Sequence, residues 1–236
     1  MRSPFKKGIS SGIPIALGYF SVSFGFGIMA VQSGLTPLQA ILISLTNLTS
    51  AGQAAGVGII AAGGTLIEMV LTQIVINLRY SLMGLSLSQK LSDKFTVPHR
   101  IIASFGITDE IFAVTSSQKE PVVPSFMYGI ILISAAGWTG GTAAGAFAGL
   151  GLPQTLTAAM GILLYGMFIA IIVPAARACR KDLIVIILAA VFSIICKFVF
   201  PSLSSGFAII VSAILAAVIG ALLFPVNIAE SEGDSQ

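Results

Sequence analysis

Three polar spots interrupt an otherwise apolar chain, and their residue types set the chemistry on offer. The first is Asn47, Thr49, Ser50, Gly52 and Gln53, set inside an apolar run from Leu38 to Ala62. Its amides and hydroxyls can donate hydrogen bonds to an anionic group. Gly52 and Gly56 weaken the helix there and can free backbone N–H groups for the same task. The second is Asn77 with Arg79, and the third is Thr108-Asp109-Glu110. Asp109 and Glu110 can accept from a cation or exchange a proton. Arg79 either snorkels to an interface or pairs with an acid of the 108–110 segment, because an isolated charge in lipid is costly. A helix in lipid tolerates such groups only where they face protein or water. The three spots are therefore expected to meet inside a membrane bundle and line a solute path. The bland alternative is that they hydrogen-bond helix to helix and carry no solute.

The elements that position them must be membrane helices. Charged residues are 9% of the 236 and hydrophobic residues 56%, with a mean hydropathy of +1.01. A soluble domain carries about 25% charge. Segmentation by hydropathy gives an all-α polytopic membrane bundle of seven or eight segments, treated as a single domain over 1–236. The runs are 11–31, 38–62, 66–87, a short amphipathic stretch at 101–117, 125–150, 153–174, 183–200 and 205–226. The run at 38–62 reads as a discontinuous helix, and that at 101–117 as a half-helix or a thin crossing. Gly18, Ser21 and Gly25 share one helix face and predict a close-packing seam. Gly137, Gly141 and Gly145 predict another.

An internal echo accompanies the hydropathy. The Pro37 and Pro153 segments each follow a glycine-rich span and lie 116 residues apart. That predicts two repeats, over 8–119 and 121–226, with a flexible polar tail at 227–236. The halves differ, since the counterpart of the 47–53 segment has Tyr165 as its main polar group. Arg2, Lys6 and Lys7 place the N-terminus in the cytoplasm under the positive-inside rule. The apolar stretch after them lacks a small-residue cleavage site, so no cleavable signal is expected. Eight full crossings leave Lys90, Lys94 and Arg100 outside, against that rule. A re-entrant 108 segment, with one of the runs at 38–62 and 66–87 failing to cross, brings them inside.

The composition excludes other classes. One histidine, His99, in an interfacial loop supports neither a catalytic triad nor a metal site, and no Walker loop is present. No cofactor and no nucleic-acid partner is expected, since the few cations mark helix ends. Cys179 and Cys196 read as free thiols. The competing functional class is a channel or a non-transporting membrane assembly subunit.

Gly8-Ile-Ser-Ser-Gly-Ile-Pro14 with Phe24-Gly25, then Ser50-Ala51-Gly52-Gln53, Asn77-Leu78-Arg79-Tyr80-Ser81-Leu82 and Thr108-Asp109-Glu110-Ile111-Phe112-Ala113 carry a resemblance. In order and spacing they resemble the AzlC family of branched-chain amino acid permeases over nearly the whole chain. The resemblance implies the large subunit of a two-component exporter in the bacterial cytoplasmic membrane. Its partner would be a small AzlD-like membrane subunit of about four spans, and its substrates leucine, isoleucine, valine and related compounds, moved by the proton gradient. The family often has His where this chain has Tyr80, and tyrosine cannot become cationic there. Such a substrate is a zwitterion with an apolar side chain. The 47–53 segment, with Asn77, would meet its carboxylate, and Asp109 or Glu110 its ammonium. Of the two acids, the shorter Asp109 is expected to be the buried one.

Overall fold

The computed structural model describes residues 3–149 and 176–225, together with isolated positions at 151, 153, 166, 169 and 172–174. Nine helices lie among them: α1 (Pro4–Gln32), α2 (Pro37–Thr46), α3 (Ser50–Ala61), α4 (Leu66–Ser88), α5 (Val97–Ser104), α6 (Asp109–Ser116), α7 (Pro124–Ala148), α8 (Arg180–Val199) and α9 (Ser205–Leu223). Five of these, α1, α4, α7, α8 and α9, are long and apolar enough to cross a bilayer. The protein is thus an all-α polytopic membrane bundle. The run expected at 153–174, with Tyr165, and the tail at 227–236 fall largely or wholly outside the described residues.

Two compact units share the chain. The first holds α1–α3, α5–α7 and α4 from Ile76 onward; the second holds α4 up to Val75 with α8 and α9.

In the first unit, α1 and α7 are the central pair. Both open with proline in the first turn, where its missing N–H costs nothing. They run parallel: the α7 seam lies on the α1 backbone in ascending order on both helices. A Cβ on Gly129 would sit 2.3 Å from the Phe5 carbonyl oxygen, one on Gly137 2.4 Å from that of Ala16, and one on Gly145 2.0 Å from that of Phe24. The expected α7 seam is therefore the one observed. Of the α1 seam expected at Gly18, Ser21 and Gly25, only Gly25 is buried. Gly18 has nothing within 4 Å of a Cβ, and Ser21 is exposed, bonding back to the Leu17 carbonyl. The buried face runs through Gly8, Gly12, Ala16, Ser23 and Gly27. Gly18 and Ser21 lie off that face, so spacing alone identified a stripe without saying which way it points.

This gives a stability prediction. Gly141→Ala would place a methyl 2.3 Å from the Phe20 carbonyl oxygen and 2.2 Å from Ser23 Oγ. Backbone cannot yield as a flexible side chain does, so a loss of about 1–3 kcal/mol is expected. Gly18→Ala should be neutral or mildly stabilising. Thermal unfolding of both variants in detergent checks the contrast.

Two hairpins of short helices pack against this pair from opposite ends. The first is α2–α3. At 10 and 12 residues, each helix covers only about 15–18 Å, half of a bilayer core. Helix α2 begins at a Thr36–Gln39 capping box and descends along α7 to Ser44, which meets Thr142. The chain turns at Asn47-Leu48-Thr49. Helix α3 then climbs back, with Gln53 bonded to Ser44 and Val57 packed in one cluster with Phe26, Ala40 and Leu35. The expected discontinuity at 38–62 is thus a hairpin that enters and leaves at the same end.

The second hairpin is α5–α6, each of 8 residues. His99 on α5 meets Tyr128 near the start of α7, at 2.6 Å. Deeper in, the backbone at Gly106 lies against Ile131. After the tip at 105–108, α6 returns, and the Ser116 carbonyl accepts from Lys90 Nζ. Leu91 and Val122 pair as an isolated bridge, so the α4–α5 and α6–α7 connections lie together. Ser3, Pro4 and Lys7 line one cavity with Gln118 and Glu120. The N-terminus, Lys90 and Lys119 therefore share one end of the unit. The α2–α3 hairpin enters and leaves this unit at the opposite end.

In the second unit, α8 packs on α9, and Cys196 and Cys179 are both free thiols. Ser212 back-bonds to the Ala208 carbonyl and touches Cys196 Sγ.

Candidate functional site

The two hairpin tips meet at the middle of α1 and α7, around Tyr19 and Trp138. Leu48, from the first tip, shares a core cluster with Ile15, Tyr19, Ile111 and Trp138. From this point two strings of hydrogen bonds extend.

One string runs up the α2–α3 hairpin. Trp138 Nε1–H donates to Gln53 Oε1 at 2.9 Å, Gln53 Nε2 donates to Ser44 Oγ at 3.2 Å, and Ser44 meets Thr142 at 2.7 Å. Gln53 is only 2% exposed, and both ends of its amide are engaged. Its place is therefore to hold the hairpin on α7.

The other string belongs to α6. The Tyr19 hydroxyl lies 2.6 Å from both Thr108 Oγ1 and Glu110 Oε2. A hydroxyl has one proton, so it cannot donate to both. Thr108 Oγ1 caps α6 by accepting from the Ile111 N–H at 3.3 Å, which leaves its own proton to donate. With Glu110 ionised, the order is Thr108 O–H to Tyr19 O, then Tyr19 O–H to the carboxylate. With Glu110 protonated at Oε2, both bonds reverse. The Tyr19 ring also stands edge-on to Trp138, 5.3 Å between centroids, a favourable aromatic geometry. The two strings are thereby joined.

Beside them lies an ion pair, Arg79 Nη1 to Asp109 Oδ2 at 2.6 Å, with the side chains 39% and 37% exposed. Arg79 Nη2 also donates to the neighbouring Tyr80 hydroxyl at 3.0 Å, and Arg79 Cζ lies 4.8 Å from the centroid of that ring. Arg79 is thus paired. The acid expected to be buried, Asp109, is the one it holds, while Glu110 takes the hydroxyl of buried Tyr19. The side chain of Asn77 is half-buried two residues before Arg79 on α4.

The remaining expected residues form the first tip. Asn47 Oδ1 accepts from the Thr49 N–H at 2.8 Å and from Thr49 Oγ1 at 2.6 Å, a local Asx-type turn that ends α2. Thr49 stands before α3 but makes no side-chain capping bond to it, and α3 has no acid in its first turn. Ser50 is half-buried and Gly52 buried in that turn. The two returning helices thus differ at their starts. Helix α6 carries Asp109 and Glu110 over its positive end, whereas α3 has no acid in its first turn.

Sequence reasoning missed Tyr19, Trp138, Ser44 and Thr142. Each sits singly in an apolar span, with no local spacing to mark it. Their role arises from contacts 85 to 98 residues away in the chain. The junction is closed: Tyr19 is 7% exposed, Thr108 3% and Trp138 1%. A cavity of about 720 Å³ opens elsewhere, between the start of α1 and the 118–123 segment, and holds none of the expected residues.

Comparison with known proteins places this arrangement. The chain is 31% identical to the inner membrane protein YgaZ of Escherichia coli (strain K12), over 70% of this chain and 70% of that protein. It is 33% identical to a membrane protein of Archaeoglobus fulgidus, over 72% of this chain and 75% of the relative. A Helicobacter pylori membrane protein is 28% identical over 61% of this chain and 64% of its own length. No solved structure matches. The AzlC protein family model matches residues 14–152, a span that takes in both hairpins, Tyr19, the Arg79–Asp109 pair and Trp138. By that match, and by the identity it shares with its relatives, the chain belongs to the AzlC family of membrane proteins.

Proposed function

We propose that the protein exports branched-chain amino acids across the cytoplasmic membrane, driven by the proton gradient, as the large subunit of a carrier that also needs a small AzlD-like membrane subunit. The observation that supports this reading best is the meeting of two oppositely entering hairpins at one buried junction. Broken helices near the bilayer middle present backbone dipoles and polar side chains to a solute. The N-terminus of α3, with the Ser50 and Thr49 hydroxyls, suits the substrate carboxylate. The acids at the start of α6 suit its ammonium group. Tyr19, Leu48 and Ile111 supply apolar surface for the aliphatic side chain. Because the junction is closed, solute reaches it by separation of a hairpin tip from the α1–α7 pair. The N-terminal end carries Lys6, Lys7, Lys90 and Lys119 and faces the cytoplasm. The α2–α3 hairpin then opens to the outside and the α5–α6 hairpin to the inside, so each tip can gate one side.

The test is counterflow of labelled leucine in liposomes, with the purified chain alone and with the small subunit. Saturable counterflow competed by isoleucine and valine, but not by lysine, is expected only with both subunits. Full activity of the single chain removes the partner from the account. Failure of every branched-chain amino acid to exchange removes the substrate class.

A further inference from the structure

The second unit contains a buried acid that the transport reading does not use. Glu68, in the first turn of α4, is 3% exposed. Thr65 caps this turn by accepting from the Glu68 N–H at 3.1 Å. The Thr-x-x-Glu spacing is that of a capping box, in which the glutamate turns back to its own helix. Here it turns away. Glu68 Oε1 accepts from the Gly206 N–H at 3.0 Å and from the Ser204 hydroxyl, at the start of α9. Both donors converge on the one carboxylate oxygen.

Three features mark the surroundings as a place for a ligand. The first is charge. No cationic side chain pairs with Glu68 among the described residues, and the N-terminus of α9 offers about half a positive charge. The second is Thr72, one turn further along α4 and 0% exposed, whose Oγ1 has no hydrogen-bond partner among the described residues. A buried threonine in a membrane helix can bond its own i−4 carbonyl, and this one does not. The third is Gly206. A Cβ there would lie 2.6 Å from Glu68 Oε1 and 2.8 Å from Thr72 Oγ1. The two oxygens therefore converge on the same stretch of Gly206 backbone, which only a residue without a side chain allows so close.

We infer that Glu68, Thr72 and Ser204 form a binding site for a sodium ion. The ligand set is one carboxylate and two hydroxyls, all hard oxygens. These suit an alkali or alkaline-earth ion and not a soft metal. A single carboxylate balances a monovalent ion, and too few oxygens are present for the six to eight that calcium takes. A proton would neutralise Glu68 without giving the Thr72 hydroxyl a role. The inference does not depend on what the first unit transports.

The test is thermal unfolding of the purified full chain in detergent, in sodium chloride and in choline chloride at equal ionic strength and pH. Sodium is expected to raise Tm saturably by about 4 °C, the shift for a site filled at roughly ten times its Kd. Thr72→Val keeps the shape, removes one ligand and should abolish the rise. Glu68→Gln should do the same, and Gly18→Ala, in the other unit, should retain it. Equal Tm in the two salts for the parent chain overturns the inference, as does a sodium-dependent rise that persists in Thr72→Val. A Tm that follows pH and ignores sodium assigns the site to a proton and also overturns it.

Discussion

Replacing Glu110 by Gln is expected to abolish proton-driven export while leaving leucine exchange at equal pH largely intact. Glutamine keeps the length of the side chain and can still meet the Tyr19 hydroxyl, so the junction stays closed and packed. It cannot release a proton. The Thr108–Tyr19–Glu110 string then loses the reversal of direction that comes with protonation of the carboxylate. A fall of about a hundredfold or more in driven flux is expected, the lower end of what removal of a proton-transferring group costs. Tyr19→Phe keeps the edge contact with Trp138 but removes the hydroxyl that lies 2.6 Å from both partners. It should lower driven flux less than Glu110→Gln does. Counterflow measured beside proton-driven flux for both variants separates coupling from binding. Driven flux at the parent level in Glu110→Gln would move the coupling to another group.

The second large effect concerns the ion pair. Asp109→Asn should reduce transport and protein level more than Arg79→Gln does. The two partners are not equally placed. Asp109 without Arg79 still sits in the first turn of α6, where the helix dipole favours a negative charge. Arg79 without Asp109 is left on a membrane helix beside the Tyr80 hydroxyl and ring, with no other acid paired to it among the described residues, and an unpaired charge in an apolar span is costly. The double variant should recover part of the loss. The coupling read from the four proteins is expected to be about 1 kcal/mol, because both side chains keep more than a third of their surface exposed. Additive losses would show that the pair does not act as a unit.

Much of this architecture was legible in the sequence because lipid restricts where polar groups can stand. The runs at 47–53, 77–79 and 108–110 stood out against apolar neighbours, and all three belong to the first unit. The break in the 38–62 run was visible as glycine and amide content. That it folds back as a hairpin was not, since helix lengths of 10 and 12 residues become apparent only once the turn at Asn47 is fixed. The glycines of α7 gave their seam correctly because three small residues in register have one face. The α1 stripe through Gly18 failed because that helix has small residues on more than one face, and only the partner selects between them. Gln53 was legible as a buried polar group. Its engagement with Trp138 and Ser44 depends on a contact 85 residues away, which no local pattern encodes. The partners of the two acids were not legible for a similar reason. Side-chain length favoured burying Asp109, whereas both acids are half-buried and the positions of Arg79 and Tyr19 decide which acid each one meets.

The central claim is that an amino acid binds where the two hairpin tips meet, and the protein carries its own reporter there. Trp138 is the single tryptophan in the chain, 1% exposed and hydrogen-bonded to Gln53 at the tip of the first hairpin. The measurement is its fluorescence during titration with leucine, in nanodiscs containing both subunits, with any tryptophan of the small subunit replaced by phenylalanine. A saturable change in emission is predicted, shared by isoleucine and valine and absent with lysine. It should weaken in Ser50→Ala, which removes a donor from the start of α3 without touching Trp138. An emission spectrum unmoved by all three branched-chain amino acids, in a preparation that exchanges them, would place the binding site elsewhere and contradict the account.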